Sequence, residues 1–220
     1  MLDYKLNTMR NILIILLILP LSLFSQTTEN MPEAKSFSLG IVPQYTAING
    51  MRFDLDFSLK NKPNHCIVVA PQLYISTRGN WDWDYKSMAG AGLELQYKIF
   101  LNEKPGNEAV YFAYGPVFNY FSVTDEGLTV KEFIDNGGNY IGLVEQEMTT
   151  NIFKLGGNFL IGVKFTLGES LYIDPYIGLG IRFSFDDKTT GLHGYYNEWW
   201  GDMGYSGTLL VGGIRLGVFL

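Results

Sequence analysis

Residues 51–60 read MRFDLDFSLK, and apolar and polar side chains alternate at every position. The apolar members are Met51, Phe53, Leu55, Phe57 and Leu59, and the polar members are Arg52, Asp54, Asp56, Ser58 and Lys60. A period of two is that of a β-strand, because successive side chains leave opposite faces of the backbone. A helix would spread these charges around its whole circumference. The segment is therefore predicted to be a strand with one apolar face and one charged face.

Two kinds of β-protein accommodate such a strand. In a soluble sheet the apolar face turns to the core, whereas in a membrane barrel it meets lipid and the polar face lines the interior. The rest of the 220-residue chain favours the barrel, because the alternation recurs in seven further segments: 36–45, 65–76, 88–101, 109–123, 152–167, 171–185 and 208–220. We therefore predict an all-β fold, an eight-stranded antiparallel up-and-down transmembrane β-barrel.

The connections between the predicted strands differ in length. Asn49-Gly50 is a hairpin signal between the first two strands, the later connections are alternately short and long, and 124–151 is the longest. Bacterial barrels have short periplasmic turns and longer extracellular loops. The pattern predicts a Gram-negative outer-membrane location with long loops extracellular and both termini periplasmic. Within 124–151, the DNGGN sequence at 135–139 predicts a further hairpin that extends the neighbouring strands, and a disordered loop is the alternative.

The N-terminus has the features of an export signal. An apolar run at 12–24 follows Lys5 and Arg10, contains Pro20 and ends in small polar residues. We predict a cleaved signal peptide at 1–25, a periplasmic tether at 26–35 and the barrel at 36–220; an uncleaved anchor is the alternative. The single cysteine, Cys66, excludes an internal disulfide, and a net charge of −6 argues against nucleic acid as a partner.

The strand pattern, the loop asymmetry and the C-terminal GGIRLGVFL at 212–220 resemble the small eight-stranded outer-membrane barrel family, typified by OmpX and the transmembrane domain of OmpA. The resemblance covers 36–220. Family members usually end on an aromatic residue that the assembly machinery reads, whereas here Phe219 is penultimate and Leu220 is last. The resemblance implies outer-membrane lipid and the barrel-assembly machinery as partners. It leaves the activity open, because the fold hosts adhesins, structural proteins, enzymes and narrow transporters.

The alternation also predicts which charges lie inside the barrel. The inward set is Arg52, Asp54, Asp56, Glu94, Lys98, Lys154, Lys164, Asp174, Arg182 and Arg215. Eight strands enclose a lumen that is just wide enough for side chains to fill, and unpaired buried charge is costly. We therefore predict a paired network that plugs the lumen, which excludes a general porin. A narrow ion path and a ligand cavity are the alternatives.

The connections predict a candidate binding surface. Acidic residues dominate both 124–151 and 186–207, and aromatic residues accompany them. The candidate surface for an extracellular or envelope protein partner consists of Trp81, Trp83, Tyr195, Tyr196, Trp199 and Trp200. Anchoring in the membrane interface is the alternative reading of such aromatics. Interfacial girdles are also predicted nearer the strand ends, at Tyr45, Tyr97, Phe100, Tyr120, Phe183 and Phe185.

The sequence offers little for catalysis. His193 lies near several carboxylates, but neither a His-x-Ser sequence nor an elbow-type serine motif accompanies it. His65 and Cys66 have no evident catalytic partner and no metal-ligand spacing. We predict a non-enzymatic structural or surface-interaction protein with no catalytic residues, no cofactor and no metal. The alternatives are an outer-membrane hydrolase with a rim site around His193, a narrow channel and a soluble lipid-binding barrel.

Overall fold

The computed structural model describes residues 37–77, 85–101, 107–135, 138–187 and 203–220, in which eight antiparallel strands close into one barrel. Each strand pairs with the next along the chain, and β1 also pairs with β8. The strands are β1 Phe37–Ile41, β2 Gly50–Leu59, β3 Lys62–Ser76, β4 Ser87–Phe100, β5 Glu108–Asp135, β6 Gly138–Leu167, β7 Leu171–Asp186 and β8 Gly207–Phe219. The predicted eight-stranded up-and-down barrel is confirmed. The predicted signal peptide and tether lie outside the described residues.

The polarity of the barrel wall is the reverse of that in a soluble sheet. On β2, the side chains of Met51 and Phe57 are 59% and 42% exposed, whereas Asp54 is completely buried and Arg52 is 2% exposed. The other strands also expose large apolar side chains, and β4, β6, β7 and β8 bury charged side chains inside. A soluble barrel with an apolar, lipid-binding interior would show the opposite arrangement. Among the described residues, no helix has the length and apolar character to cross a membrane.

The first predicted strand was too long. β1 ends at Ile41, and a 3₁₀ helix, Pro43–Ile48, follows it before β2 begins at Gly50. Pro43 favours a helical start because its ring fixes φ and it has no N–H to donate to a strand. The helix ends at Asn49, which has the left-handed conformation at φ 56°. The predicted Asn-Gly reversal is therefore present, but it follows a helical turn and not a strand.

This helix turns Tyr45 inward. Its hydroxyl accepts a hydrogen bond from Arg52 Nη1 at 3.2 Å, and its ring packs 6.2 Å from that of Tyr74. Phe100 is also buried, 7% exposed, and packs against Tyr111. The prediction that Tyr45 and Phe100 belong to an outer aromatic girdle was wrong, because the helix breaks the alternation at Tyr45 and because Phe100 occupies an inward position of β4.

Residues 124–135 and 138–151 form the two paired strands of a hairpin. β5 and β6 pair without a register shift from Glu108↔Phe165 to Asp135↔Gly138. The neighbouring strands stop earlier, since β4 pairs with β5 as far as Thr124 and β7 pairs with β6 as far as Ile152. The predicted hairpin extension is therefore present, and it continues two strands of the barrel wall past the ends of their neighbours.

The two ends of the barrel differ. The start of β1, the end of β8 and the short turns at 60–61 and 168–170 lie at one end. The 3₁₀ helix and the β5–β6 extension lie at the other end, which we call the rim. The end that holds the start of β1 and the end of β8 therefore has short turns, and the rim has the longer structures.

Gly115 allows two strands to approach closely. A Cβ atom built on Gly115 would lie 1.9 Å from the carbonyl oxygen of Leu95 on β4. This oxygen is a backbone atom, so no side-chain rotation can relieve the clash. The next residue, Pro116, has no N–H for the ladder, and the β4–β5 pairs stop at Glu94↔Val117 and resume at Tyr97↔Tyr114. The wall therefore needs glycine here.

We expect Gly115→Ala to destabilise the barrel by about 1–3 kcal/mol, because the added methyl group must displace backbone. Gly157→Ala is the matched control, since its Cβ would meet only the Gly115 carbonyl oxygen at an ordinary 3.5 Å. Urea unfolding in phospholipid vesicles, followed by tryptophan fluorescence, measures both variants. Equal stability of the two variants would contradict the close approach.

Candidate functional site

The interior of the barrel is filled by charged and polar side chains. Nine charged residues are at most 8% exposed: Arg52, Asp54, Asp56, Glu94, Lys98, Lys164, Asp174, Arg182 and Arg215. They come from β2, β4, β6, β7 and β8, where each occupies an inward position of the alternation. Lys154, the tenth member of the predicted set, is only partly buried, and its ammonium lies 5.9 Å from the ring centre of Phe121.

The half of this interior nearer the rim contains two arginines and two carboxylates. Arg52 Nε donates to Asp54 Oδ1 at 2.6 Å, and Arg52 Nη1 donates to Glu94 Oε2 at 2.5 Å. Arg215 Nε, from the last strand, donates to the other oxygen of Asp54. Closure of the barrel brings these residues together, because Asp54 and Arg215 are 161 positions apart in the sequence.

The half of the interior nearer the short turns continues the same series of ion pairs. Asp174 Oδ2 accepts from Arg215 Nη1 at 3.1 Å and from Lys98 Nζ at 3.0 Å. Asp56 Oδ2 then accepts from Lys98 Nζ at 3.3 Å and from Lys164 Nζ at 3.2 Å. The result is one unbroken chain of alternating charge: Glu94, Arg52, Asp54, Arg215, Asp174, Lys98, Asp56 and Lys164. We call it the charge chain, and its formal charges cancel.

Neutral polar side chains complete the charge chain. Gln96 accepts from Arg215 Nη2 at 2.9 Å and donates to Glu94 at 2.6 Å, and Asn158 also donates to Glu94 at 2.6 Å. Tyr111 accepts from Arg215 Nη1 at 2.8 Å and donates to Asp174 at 2.5 Å. Gln96, Tyr111 and Asn158 are not among the predicted lumen residues, although their inward positions in the alternation were a usable signal.

Arg182 lies outside the charge chain. Its Nη1 donates to the carbonyl oxygens of Gly157 at 3.2 Å and Ile181 at 3.0 Å. Of the ten predicted lumen residues, the structure therefore joins eight into one network and places Arg182 and Lys154 beside it, nearer the rim.

Packed apolar and aromatic side chains lie between the charge chain and the rim. This apolar cluster consists of Tyr74, Tyr85, Met88, Phe121, Val123, Ile152 and Met203. At the opposite end, Lys164 Nζ lies 4.0 Å from the ring centre of Tyr172 and 4.7 Å from that of Phe219. The penultimate Phe219 thus turns inward and covers the last cation of the charge chain.

The base of the β5–β6 extension carries an ion cluster. Lys86 Nζ donates to Glu126 Oε1 at 3.4 Å and also donates to Glu147 Oε1. Hydrogen bonds to Glu147 and Glu126 raise the pKa of this exposed lysine. A cavity of about 240 Å³ beside it is lined by Tyr85, Lys86, Asp125 and Glu126.

Asp187 makes a second exposed contact at the rim. Its carboxylate accepts from the Asn151 side-chain amide at 2.7 Å and from the Asn151 backbone N–H at 2.5 Å. These hydrogen bonds lower the pKa of Asp187, because they favour the ionised carboxylate. The contact joins the end of β7 to the point where β6 leaves the barrel wall.

The predicted aromatic loop surface (Trp81, Trp83, Tyr195, Tyr196, Trp199 and Trp200) lies outside the described residues, as does His193. His65 packs against Tyr97, with 5.4 Å between ring centres, and Cys66 is buried inside the barrel. In the part of the chain that the structure describes, no group of three or more metal-ligating side chains is present.

These features define a class, an eight-stranded up-and-down β-barrel with inverted polarity and a filled, charge-paired interior. Among solved structures, the chain is similar to the crystal structure of Acinetobacter baumannii CarO, with 11% sequence identity over 87% of this chain and 100% of that chain and a TM-score of 0.37. No protein-family model matches the sequence, and no curated protein matches it. The resemblance to OmpX and OmpA in particular stays a prediction.

Neutralising one acid of the charge chain tests its energetic role. We expect Asp54→Asn to destabilise the barrel by about 3–5 kcal/mol, because Arg52 and Arg215 then share no carboxylate at this position. Glu145→Gln removes the same charge from an exposed position and is expected to change stability by at most about 0.5 kcal/mol. Equal urea midpoints for the two variants in vesicles would show that the charge chain does not stabilise the fold.

The Lys86 cluster predicts a titration. Because the pKa of Lys86 is raised, the contribution of Lys86 to stability is complete below its unfolded pKa of about 10.4. This contribution is lost as the pH rises through the higher pKa of the folded state. We expect the Lys86 side-chain NMR signal to titrate above that of the unfolded chain, and we expect Lys86→Met to speed hydrogen exchange at Glu126 and Glu147. Lys131→Met is the control. A titration at the unfolded value would contradict the cluster.

Proposed function

We propose that this chain is a non-enzymatic outer-membrane barrel of a Gram-negative envelope, with a structural or surface-interaction role. The inverted polarity of its wall carries the proposal. Large apolar side chains such as Leu73, Leu179 and Leu210 are 52–63% exposed, while four acidic and four basic side chains pair inside. Such a wall is costly in water and favourable in lipid, because only lipid removes the outer apolar surface from water.

The two ends of the barrel support an orientation. We infer that the end with the start of β1, the end of β8 and the short turns faces the periplasm and that the rim faces outward, as in bacterial barrels generally. In this proposal residues 1–25 are the export signal and 26–35 a periplasmic tether. The partners during biogenesis are the barrel-assembly machinery and the membrane lipid.

The filled interior argues against a pore function. Eight strands leave space only for side chains, and here that space holds the charge chain and an apolar cluster toward the rim. Moving an ion through it would require separating buried ion pairs, which is strongly unfavourable. We therefore assign the interior to structure, and we assign any recognition to the rim and the β5–β6 extension.

Reconstitution tests this proposal. We expect the refolded chain to insert into phospholipid vesicles, to resist unfolding in SDS until heated, and to give no steady ion current in planar bilayers. A variant with Arg52→Ala, Lys98→Ala and Asp174→Ala is the comparison, because removing these side chains should open a path if the barrel still folds.

Two results would overturn the proposal. A folded monomer that stays in solution without detergent or lipid would exclude the membrane barrel. A steady current through the unaltered chain would exclude the structural role of the interior, and the narrow channel would replace it.

A further inference from the structure

The β5–β6 extension forms a two-stranded arm. We call residues 125–135 and 138–148 the arm, since β4 pairs no farther than Thr124 and β7 no farther than Ile152. Eleven residues at about 3.3 Å per residue make the arm about 36 Å long. Along this length neither edge pairs with a third strand that the structure describes. Unpaired edges of this kind are templates for an added strand.

One face of the arm is apolar and acidic. This face continues the outward positions of the barrel wall, and we call it the stripe. Its members are Glu126, Leu128, Val130, Glu132 and Ile134 on β5, with Ile141, Leu143, Glu145 and Glu147 opposite them on β6. Val130 and Leu143 face each other and are both 62% exposed, and Ile134 is 80% exposed. The stripe has four carboxylates and no basic residue.

The stripe is separated from the lipid-facing wall. Beyond the outward aromatic pair Tyr120↔Phe153, the next outward pairs are Ser122↔Asn151 and Thr124↔Thr149, followed by Glu126↔Glu147. From Ser122 to Glu126 these three polar pairs extend for about 13 Å along the strands. Carboxylates are costly in hydrocarbon, so the stripe is not an extension of the membrane-spanning surface.

Charge also argues against a second copy of this chain as the occupant. Two stripes packed face to face would bring eight carboxylates together without a cation from either stripe. Like charges placed across an interface are unfavourable. The occupant must therefore bring positive charge together with apolar side chains.

The chain itself shows how this face binds a cation. Glu126 and Glu147 lie directly opposite each other, and the ammonium of Lys86 binds both. Toward the tip, Glu132 and Glu145 flank the apolar pair Val130↔Leu143 in the same alternation. Each of these two carboxylates is placed to accept one cation of another segment, since Glu132 lies opposite Ile141 and Glu145 lies opposite Leu128.

We propose that the arm binds an extended segment of a partner protein that carries Lys or Arg and apolar residues together on one face, at every second position, and that adds as a strand to an edge of the arm. Backbone hydrogen bonds to the edge provide affinity, and side chains aligned with the stripe provide selectivity. This inference rests on the proposed function, which places the arm in water outside the membrane, and it names the class of partner.

Binding of a defined peptide tests the inference. The probe is a short fluorescein-labelled peptide in which every second residue is alternately lysine or valine, with threonine between them, and the receptor is the full chain in lipid nanodiscs. We expect the double variant Glu132→Gln, Glu145→Gln to raise the dissociation constant about tenfold. The matched control is Glu108→Gln with Glu169→Gln, which removes two carboxylates at the opposite end of the barrel and should leave the binding unchanged.

Peptide controls separate recognition from general charge attraction. A peptide with glutamate in place of lysine should not bind, and a peptide of the same composition with its lysines in one block should bind at least about tenfold more weakly. Hydrogen exchange should slow at one edge of the arm when the alternating peptide is present. Equal binding of the alternating and block peptides, or no effect of the stripe variants, would overturn the inference.

Two further results would assign the stripe to another occupant and overturn the proposal. Val130→Cys can be labelled selectively with a fluorophore because the sole native cysteine, Cys66, is buried. Quenching of that label by brominated lipid would place the stripe in the membrane. Dimers that disappear with Leu143→Ser would assign it to a second copy. Failure to insert into vesicles would instead refute the proposed function, and insertion without peptide binding would refute this inference alone.

Discussion

The need to neutralise charge inside a narrow barrel determines most of this structure. Eight strands leave a lumen that side chains must fill, and the inward positions carry charged residues. A buried charge without a partner costs several kcal/mol, so the arrangement is stable only if each charge meets its opposite. The charge chain meets this requirement, because every inner member contacts two opposite charges, as Arg215 contacts Asp54 and Asp174.

The same requirement joins distant parts of the sequence. β1 and β8 meet through backbone pairs such as Ser38↔Phe219. Arg215 of β8 contacts Asp174, its direct neighbour on β7, and also reaches past β1 to Asp54 of β2. Closure of the barrel is thus supported both in its wall and in its interior. Because these contacts need all the strands in place, the interior specifies the register of the closed barrel as well as filling it.

The alternation of the sequence predicted the fold and the inward or outward side of each charge, because side-chain direction in a strand depends only on position. It could not predict the order of the ion pairs, since Asp54 and Arg215 meet only through the register of the closed barrel. The alternation failed at Tyr45, where Pro43 starts a 3₁₀ helix in place of a strand. The alternation placed Phe100 on the correct, inner side. The girdle prediction for Phe100 was wrong because it followed the tendency of aromatics to lie at interfaces and not the alternation.

The charge composition of the interior has a consequence for the exterior of the barrel. The sequence contains 22 acidic and 16 basic residues, and the ten predicted lumen residues use six of the basic and only four of the acidic ones. The acidic excess therefore lies outside that set, and four of its members belong to the stripe. Lys86 compensates one pair of them, Glu126 and Glu147, and no basic residue of the stripe compensates Glu132 and Glu145. In the barrel the alternation has a lumen on one side and an apolar surround on the other. The arm extends beyond the barrel, so neither the lumen nor the apolar surround explains an apolar stripe bordered by carboxylates. Recognition of a basic segment provides an explanation.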